Sequence, residues 1–292
     1  MAPPWAGWRL SIIRPLQPVH PYFLTSVMSD PPVKYNAAFA KGQGLQEETV
    51  ALLEAWSPGM TAAELTMIAL QQGLLRRATE KRTRDIISNH IAPRYLKNDA
   101  RPAQYLHILI KNDFSSAALN QLFYIYTCRA NPILRDFIGQ VYWTSFAAGR
   151  TAIIKEQALA FIDGAVQNGH IAAPWSAELR DRIARGLMTC LADFDLAQKG
   201  RALSRKIVSF RPFPSTIFFL AHELHFAGMS DHQIMAHPDW QLFGLQPLEV
   251  VQELSRLSPH MLIVQFAGDL LRITWSCATM EEALHAITRQ EF

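Results

Sequence analysis

Residues 61–97 read TAAELTMIALQQGLLRRATEKRTRDIISNHIAPRYLK, and this stretch carries the strongest local signal in the chain. The pattern predicts a helix over 61–72 that breaks at Gly73 and a second, basic helical segment after it. Between residues 76 and 97 there are seven cations (Arg76, Arg77, Lys81, Arg82, Arg84, Arg94 and Lys97) against Glu80 and Asp85, a local balance of +5. Two short helices around a glycine, the second one basic, have the layout of a helix-turn-helix whose second helix lies against nucleic acid. Taken as one continuous helix, Arg77, Lys81, Arg84 and Ser88 share a sector of about 60°, with Ile86 opposite. Cations on one face can follow successive phosphates, and the counterions they release supply most of the affinity of such contacts. Thr79 reads as a helix N-cap, and Asn89 has the amide chemistry to read adenine.

A second basic segment lies further along. Lys199, Arg201, Arg205, Lys206 and Arg211 fall within thirteen residues that contain no acid, and 206–210 alternates as a strand does. Two helices followed by a basic strand pair would make a winged helix with its wing near 200–211. The charge is unevenly shared along the chain. Residues 212–292 hold three cations and nine acids, a balance of −6, so the first 211 residues carry +9 of the overall +3. A basic body suits an anionic partner, and an acidic end suits something else.

Between and beyond these segments the pattern is mainly α. Helices are expected over 45–56, 103–110, 116–128, 131–146, 151–168 and 176–194, with Asn131 and Ser176 as caps and Gly169 as a terminator. Shorter ones are expected over 215–226, 230–236, 247–257 and 279–288, and 261–266 with 270–275 form a hairpin about Ala267-Gly268-Asp269. The division expected is an N-terminal extension (1–33), a helix-turn-helix domain (34–98), a central helical domain ending in the basic wing (99–213) and an acidic helical part with a small β-hairpin (214–292). Five prolines in the first 27 residues interrupt any signal-like helix, and Met28 is the expected start of translation.

Catalytic patterns are missing. There is no GxSxG, no Gly-rich phosphate loop and no CxxC, and Gly42-Gln43-Gly44 lacks the third glycine of a dinucleotide loop. The run HELH places His222 and His225 three residues apart, where a zincin helix needs four, so a core-edge histidine set is the better reading. Cys128, Cys190 and Cys277 sit in apolar contexts and suggest buried, reduced thiols in a cytoplasmic protein. Trp143, Trp175 and Trp240 lie near helix ends, where they could anchor an interface. The apolar region 115–148 is cut by Arg129, Arg135 and Asp136 into pieces too short to span a bilayer. No enzyme activity, cofactor, metal, membrane or small-molecule substrate is expected.

The opening KYNAAFAKGQGLQEETVALLEAW, with the following GLLRRATEKRTRDIISNHIAPRYL and the tract from 176 to 214, resembles the BrxA family of BREX phage-defence systems over about residues 34–245. The resemblance implies an all-helical, cytosolic protein that binds double-stranded DNA with little sequence preference, beside the other BREX components. Only Arg76, Arg77, Lys81, Arg82 and Arg84 carry over from it, and the 199–211 cluster rests on charge. Two alternatives stay open: a protein-interaction scaffold of the same complex, and an RNA-binding antitermination-like factor.

Overall fold

The computed structural model describes residues 33–37, 39, 44–97, 99–200, 203–257, 261–267 and 270–289. The expected extension, save for Val33, and the Met28 start lie outside these residues. The described chain is mostly helical, with two small antiparallel sheets.

Helix α1 (Gln46–Ala55) buries Thr49, Leu52 and Leu53, and Trp56 closes it by donating its indole N–H to the Met60 carbonyl at 3.0 Å. Helix α2 (Ala62–Gln71) opens with a capping box between Thr61 and Glu64 and stops where Gly73 takes φ +61°. Thr79 caps α3 (Glu80–Ile86), accepting from the Arg82 amide at 3.2 Å. The helix then widens into a π turn over Ile87–Ile91 before α4 (Ala92–Tyr95). Pro93 explains the widening. It offers no N–H and its ring would clash with the carbonyl four residues back, so the looser turn absorbs it.

Helices α5 (Arg101–Lys111) and α6 (Ser116–Ala130) follow, and α6 is the spine of the molecule, with ten residues buried. Its Tyr124 donates to the Leu242 carbonyl at 2.7 Å and packs among Phe194, Phe210 and Phe243. Its Gln121 bridges the Arg211 carbonyl and the Phe213 amide. Early, middle and late segments therefore pack together around α6.

Asn131 does not cap the next helix with its side chain, because its amide is turned back to the Thr127 carbonyl at 2.8 Å. Helix α7 (Pro132–Phe137) runs through a second π segment, Ile138–Trp143, into α8 (Thr144–Ala147). The helix expected from 151 is preceded by a strand. Its β-branched start forms β1 (Ala152–Ile154), and α9 (Lys155–Gln167) begins only after it. Helix α10 (Ala177–Asp193) is capped by Ser176. Strand β2 (Ser204–Lys206) pairs antiparallel with β1, with Ile153 opposite Arg205. A bridge between Ala197 and Ile207, with hydrogen bonds Gln198 N–Lys206 O and Val208 N–Leu196 O, adds a third extended segment. The basic strand thus lies slightly earlier than 206–210. One of its partners, β1, comes from before the helices.

The C-terminal part holds α11 (Pro214–Phe226), α12 (Asp231–Met235), a 3₁₀ turn over Pro238–Phe243 and α13 (Pro247–Ser255). The hairpin β3 (Leu262–Ala267) and β4 (Leu270–Trp275) and then α14 (Met280–Arg289) complete it. Asp231 accepts from the Ile273 amide at 2.8 Å, tying the hairpin to α12. Trp240 is buried with its N–H on the Ile234 carbonyl, so it is core and not an interface anchor. Cys128 and Cys190 are buried and Cys277 is half-buried.

Candidate nucleic-acid interface

Of the cations counted along 76–97, the structure divides the set. Lys81 and Arg84 are exposed on α3, with Ser88 beyond them. Arg76 and Arg77 are exposed in the turn before the helix, so Arg77 does not share the α3 face. A continuous-helix reading put it there; Thr79 starts the helix two residues later. Arg82 is half-buried and pairs with Asp85 at 3.3 Å, while Arg84 stands 3.5 Å from Glu80. Both are surface pairs and contribute about 0–1 kcal/mol each. Asn89 is bonded to the Asp85 carboxylate, which occupies its amide.

Arg94 is not at the surface at all. It is 4 % exposed, and one guanidinium nitrogen reaches the Gly44 carbonyl at 3.4 Å. Arg76, Arg77 and Arg82 also share a depression of about 550 Å³ with Glu47 and Glu48 of α1. The local field is therefore less positive than the sequence balance.

The second cluster is built differently. Lys199 is exposed, 3.9 Å from Asp195, and Lys206 projects from β2. Arg205 folds back onto the Gly200 carbonyl and fixes the turn, so it braces the loop more than it presents charge. Arg211 is exposed at the exit to α11. Arg201 lies outside the described residues.

The two clusters do not merge. Glu47 and Ala51 line both the arginine depression and a second groove shared with Asp193, Asp195 and Lys199, so α1 is a ridge between them. Gln46 and Asn120 donate to the Asp193 carbonyl at 2.6 and 3.2 Å and fasten the end of α10 there. Gly44 makes the close approach possible, since a Cβ would fall 2.5 Å from the Asp193 carboxylate. Burial raises the Asp193 carboxyl above its ordinary range; Lys199 and Arg205 oppose this, and Asp195 and Glu48 add to it.

Two arginines that the charge runs did not single out share the outward face of α10. Arg182 and Arg185 are exposed, in line with Glu178 and Thr189 and opposite the buried Leu187 and Leu191. Their i, i+3, i+4 spacing was the available signal, masked because acids interrupt the run.

HELH resolves into separate contacts. His222 is fully buried, stacked on Phe218 at 3.8 Å and edge-on to Trp275, with Nδ1 at the Phe218 carbonyl. Burial holds its pKa down to about 4. His225 stacks on Trp275 at 4.1 Å. Glu223 accepts from both terminal nitrogens of Arg129, at 3.0 and 2.7 Å, and from Tyr126 at 2.6 Å. Asp239 takes the Arg129 Nε–H at 2.7 Å. Burial works against the Arg129 charge, and Glu223 and Asp239 more than offset it, raising its pKa.

These features define a class: a mostly helical protein whose exposed cations form clusters on separated faces of one core. The BrxA family model matches residues 33–223, and the chain belongs to the BrxA family of BREX systems. The fold is similar to the crystal structure of an uncharacterized protein from Magnetospirillum magneticum, with a TM-score of 0.54 and 14 % identity over 66 % of this chain and 95 % of that one. No curated protein matches the chain. No helix among the described residues is long and apolar enough to cross a membrane.

Proposed function

We propose that the protein is a non-enzymatic component of a BREX anti-phage system that binds double-stranded DNA in the cytoplasm, beside other BREX components. Phosphate contacts supply most of the affinity. One observation carries the reading: the order of elements from 132 to 208. Helix α7–α8, strand β1, helices α9 and α10, the extended segment 196–198 and strand β2 run in the order of a winged helix, with β2 paired to both β1 and 196–198. Exposed Lys199 and Lys206 lie beside this paired segment, and Arg76, Arg77, Lys81 and Arg84 offer a second phosphate-contacting face across the α1 ridge.

The acidic end favours a second reading, that of a scaffold whose basic faces dock an acidic protein. A duplex titration at two salt concentrations, wild type beside Arg77→Glu/Lys81→Glu/Arg84→Glu, separates the two. Binding that falls steeply with salt and weakens in the variant, with helical circular dichroism retained, is expected. Losing three phosphate contacts should flatten the log–log salt slope by about 3. Wild type that ignores duplex DNA at low salt would sink the DNA reading and promote the scaffold. RNA of equal length outcompeting DNA would move the partner to RNA.

A further inference from the structure

The outward stripe of α10 has the wrong composition for a face that only tracks phosphates. It runs Glu178, Arg182 and Arg185, all exposed, and the half-buried Thr189, whose hydroxyl donates to the Arg185 carbonyl at 2.8 Å. A phosphate-following face gains nothing from a carboxylate, which the backbone repels. Base edges in a major groove match all three chemistries: guanine O6 and N7 take a guanidinium fork, cytosine N4 donates to a carboxylate, and a threonine methyl meets that of thymine.

The stripe is also held ready. Ser176 caps α10, with its hydroxyl accepting from the Leu179 amide at 3.3 Å. Arg180 is drawn sideways to Asp163 of α9. Asp181 binds Lys155, at the junction of β1 and α9, and stands 2.6 Å from Arg185. These pairs tie α10 to α9, and the Asp181 carboxylate holds the Arg185 guanidinium beside it. Arg182 makes no ion pair among the described residues.

Resting on the DNA-binding reading, we propose that α10 is a groove-reading helix, and that Arg182 and Arg185 give the protein a preference for guanine-containing duplex sites on top of its phosphate-driven affinity. Asp181 acts as a positioning residue for Arg185. The exposed Arg76, Arg77, Lys81, Arg84, Lys199 and Lys206 then contact phosphates.

A duplex library with a randomised core, selected by the intact protein near physiological salt, tests this. The wild type is expected to enrich a guanine-containing motif about tenfold over bulk duplex. Arg182→Ala/Arg185→Ala should lose that enrichment yet still bind bulk duplex at low salt. Arg182→Lys/Arg185→Lys keeps the charge but lacks the planar fork, so it should keep affinity and lose preference. This second variant covers a failure of the first to fold. A wild type that binds duplex but enriches nothing, or a lysine variant that enriches the same motif, overturns the inference and leaves the DNA-binding reading standing. A wild type that binds no duplex overturns both.

Discussion

The segments 132–208 and 214–275 both end in a two-stranded antiparallel pairing, and they differ in how it is made and in what holds and faces them. In the first, β2 follows α9 and α10 and pairs back to β1, which precedes them; in the second, α12 and α13 lead into the local hairpin β3–β4. The outer helix of the first presents Arg182, Arg185 and Thr189. That of the second presents Leu248, which is 69 % exposed, with Glu249, Gln252 and an Arg256 engaged by Glu253. The first is braced by ion pairs at its surface, such as Lys155–Asp181. The second is held by polar groups in its interior, Arg129 with Glu223 and Asp239, and His222 against Phe218 and Trp275. The two outer faces can differ in character because an outer face makes no demand on packing. It is the interior that each segment has had to solve separately.

Breaking the buried network should have the largest effect. Arg129→Ala leaves the half-buried Glu223 and the buried Asp239 without their cation, and removing one side of such a pair costs about 3–5 kcal/mol. Thermal unfolding should shift down accordingly, with amide exchange rising first around α11 and the 3₁₀ turn. Equal loosening around α9 and α10 would erase the contrast between the segments.

Acid should act next, and in opposite directions in the two regions. The folded pKa of His222, about 4, lies below the 6.5 of a free imidazole, so the unfolded chain binds the proton more readily. Its stabilising contribution is present above pH 6.5 and is lost as pH falls toward 4, about 3 kcal/mol in all. Burial also lowers His225 and His237. Asp193, at the end of α10, is raised, so its carboxylate burdens the fold near neutrality and acid relieves it. Amide exchange at pH 7 and pH 5 should show the C-terminal helices loosening while the end of α10 does not. His222→Leu should flatten the response; the same pH dependence in that variant would place its origin elsewhere.

The smallest effect concerns the acidic outer helix. Glu249→Arg/Gln252→Arg adds cations to α13, yet duplex affinity at moderate salt should change by less than about twofold, because that face stands apart from the proposed DNA surface. A rise of about tenfold would mean that both outer helices meet the same duplex.

Local signals were read well where local chemistry decides. Thr79 and Ser176 cap their helices as read, Asn131 does not, and Gly73 and Gly169 take the positive φ that ends one. The candidate site was only partly legible. Arg76, Arg77, Lys81 and Arg84 are exposed as charge implied, whereas Arg94 is interior and Arg205 is spent on its own turn. Arg182 and Arg185 escaped notice because Asp181 and Glu178 hide them in a charge count, although a helical projection separates the two sets.

The sequence by itself determined the helical class, most of the helix starts, the family and the division of charge between a basic body and an acidic end, since caps, periodicity and composition act within a few residues. Tertiary structure alone decided that β1 comes from before α9 to pair with β2, that α1 separates the two cation clusters, and that Arg129 gathers Glu223 and Asp239 from 94 and 110 residues away. Those pairings are set by which surfaces the core brings together, and burial, not sequence distance, decides which charges meet a partner and which meet solvent.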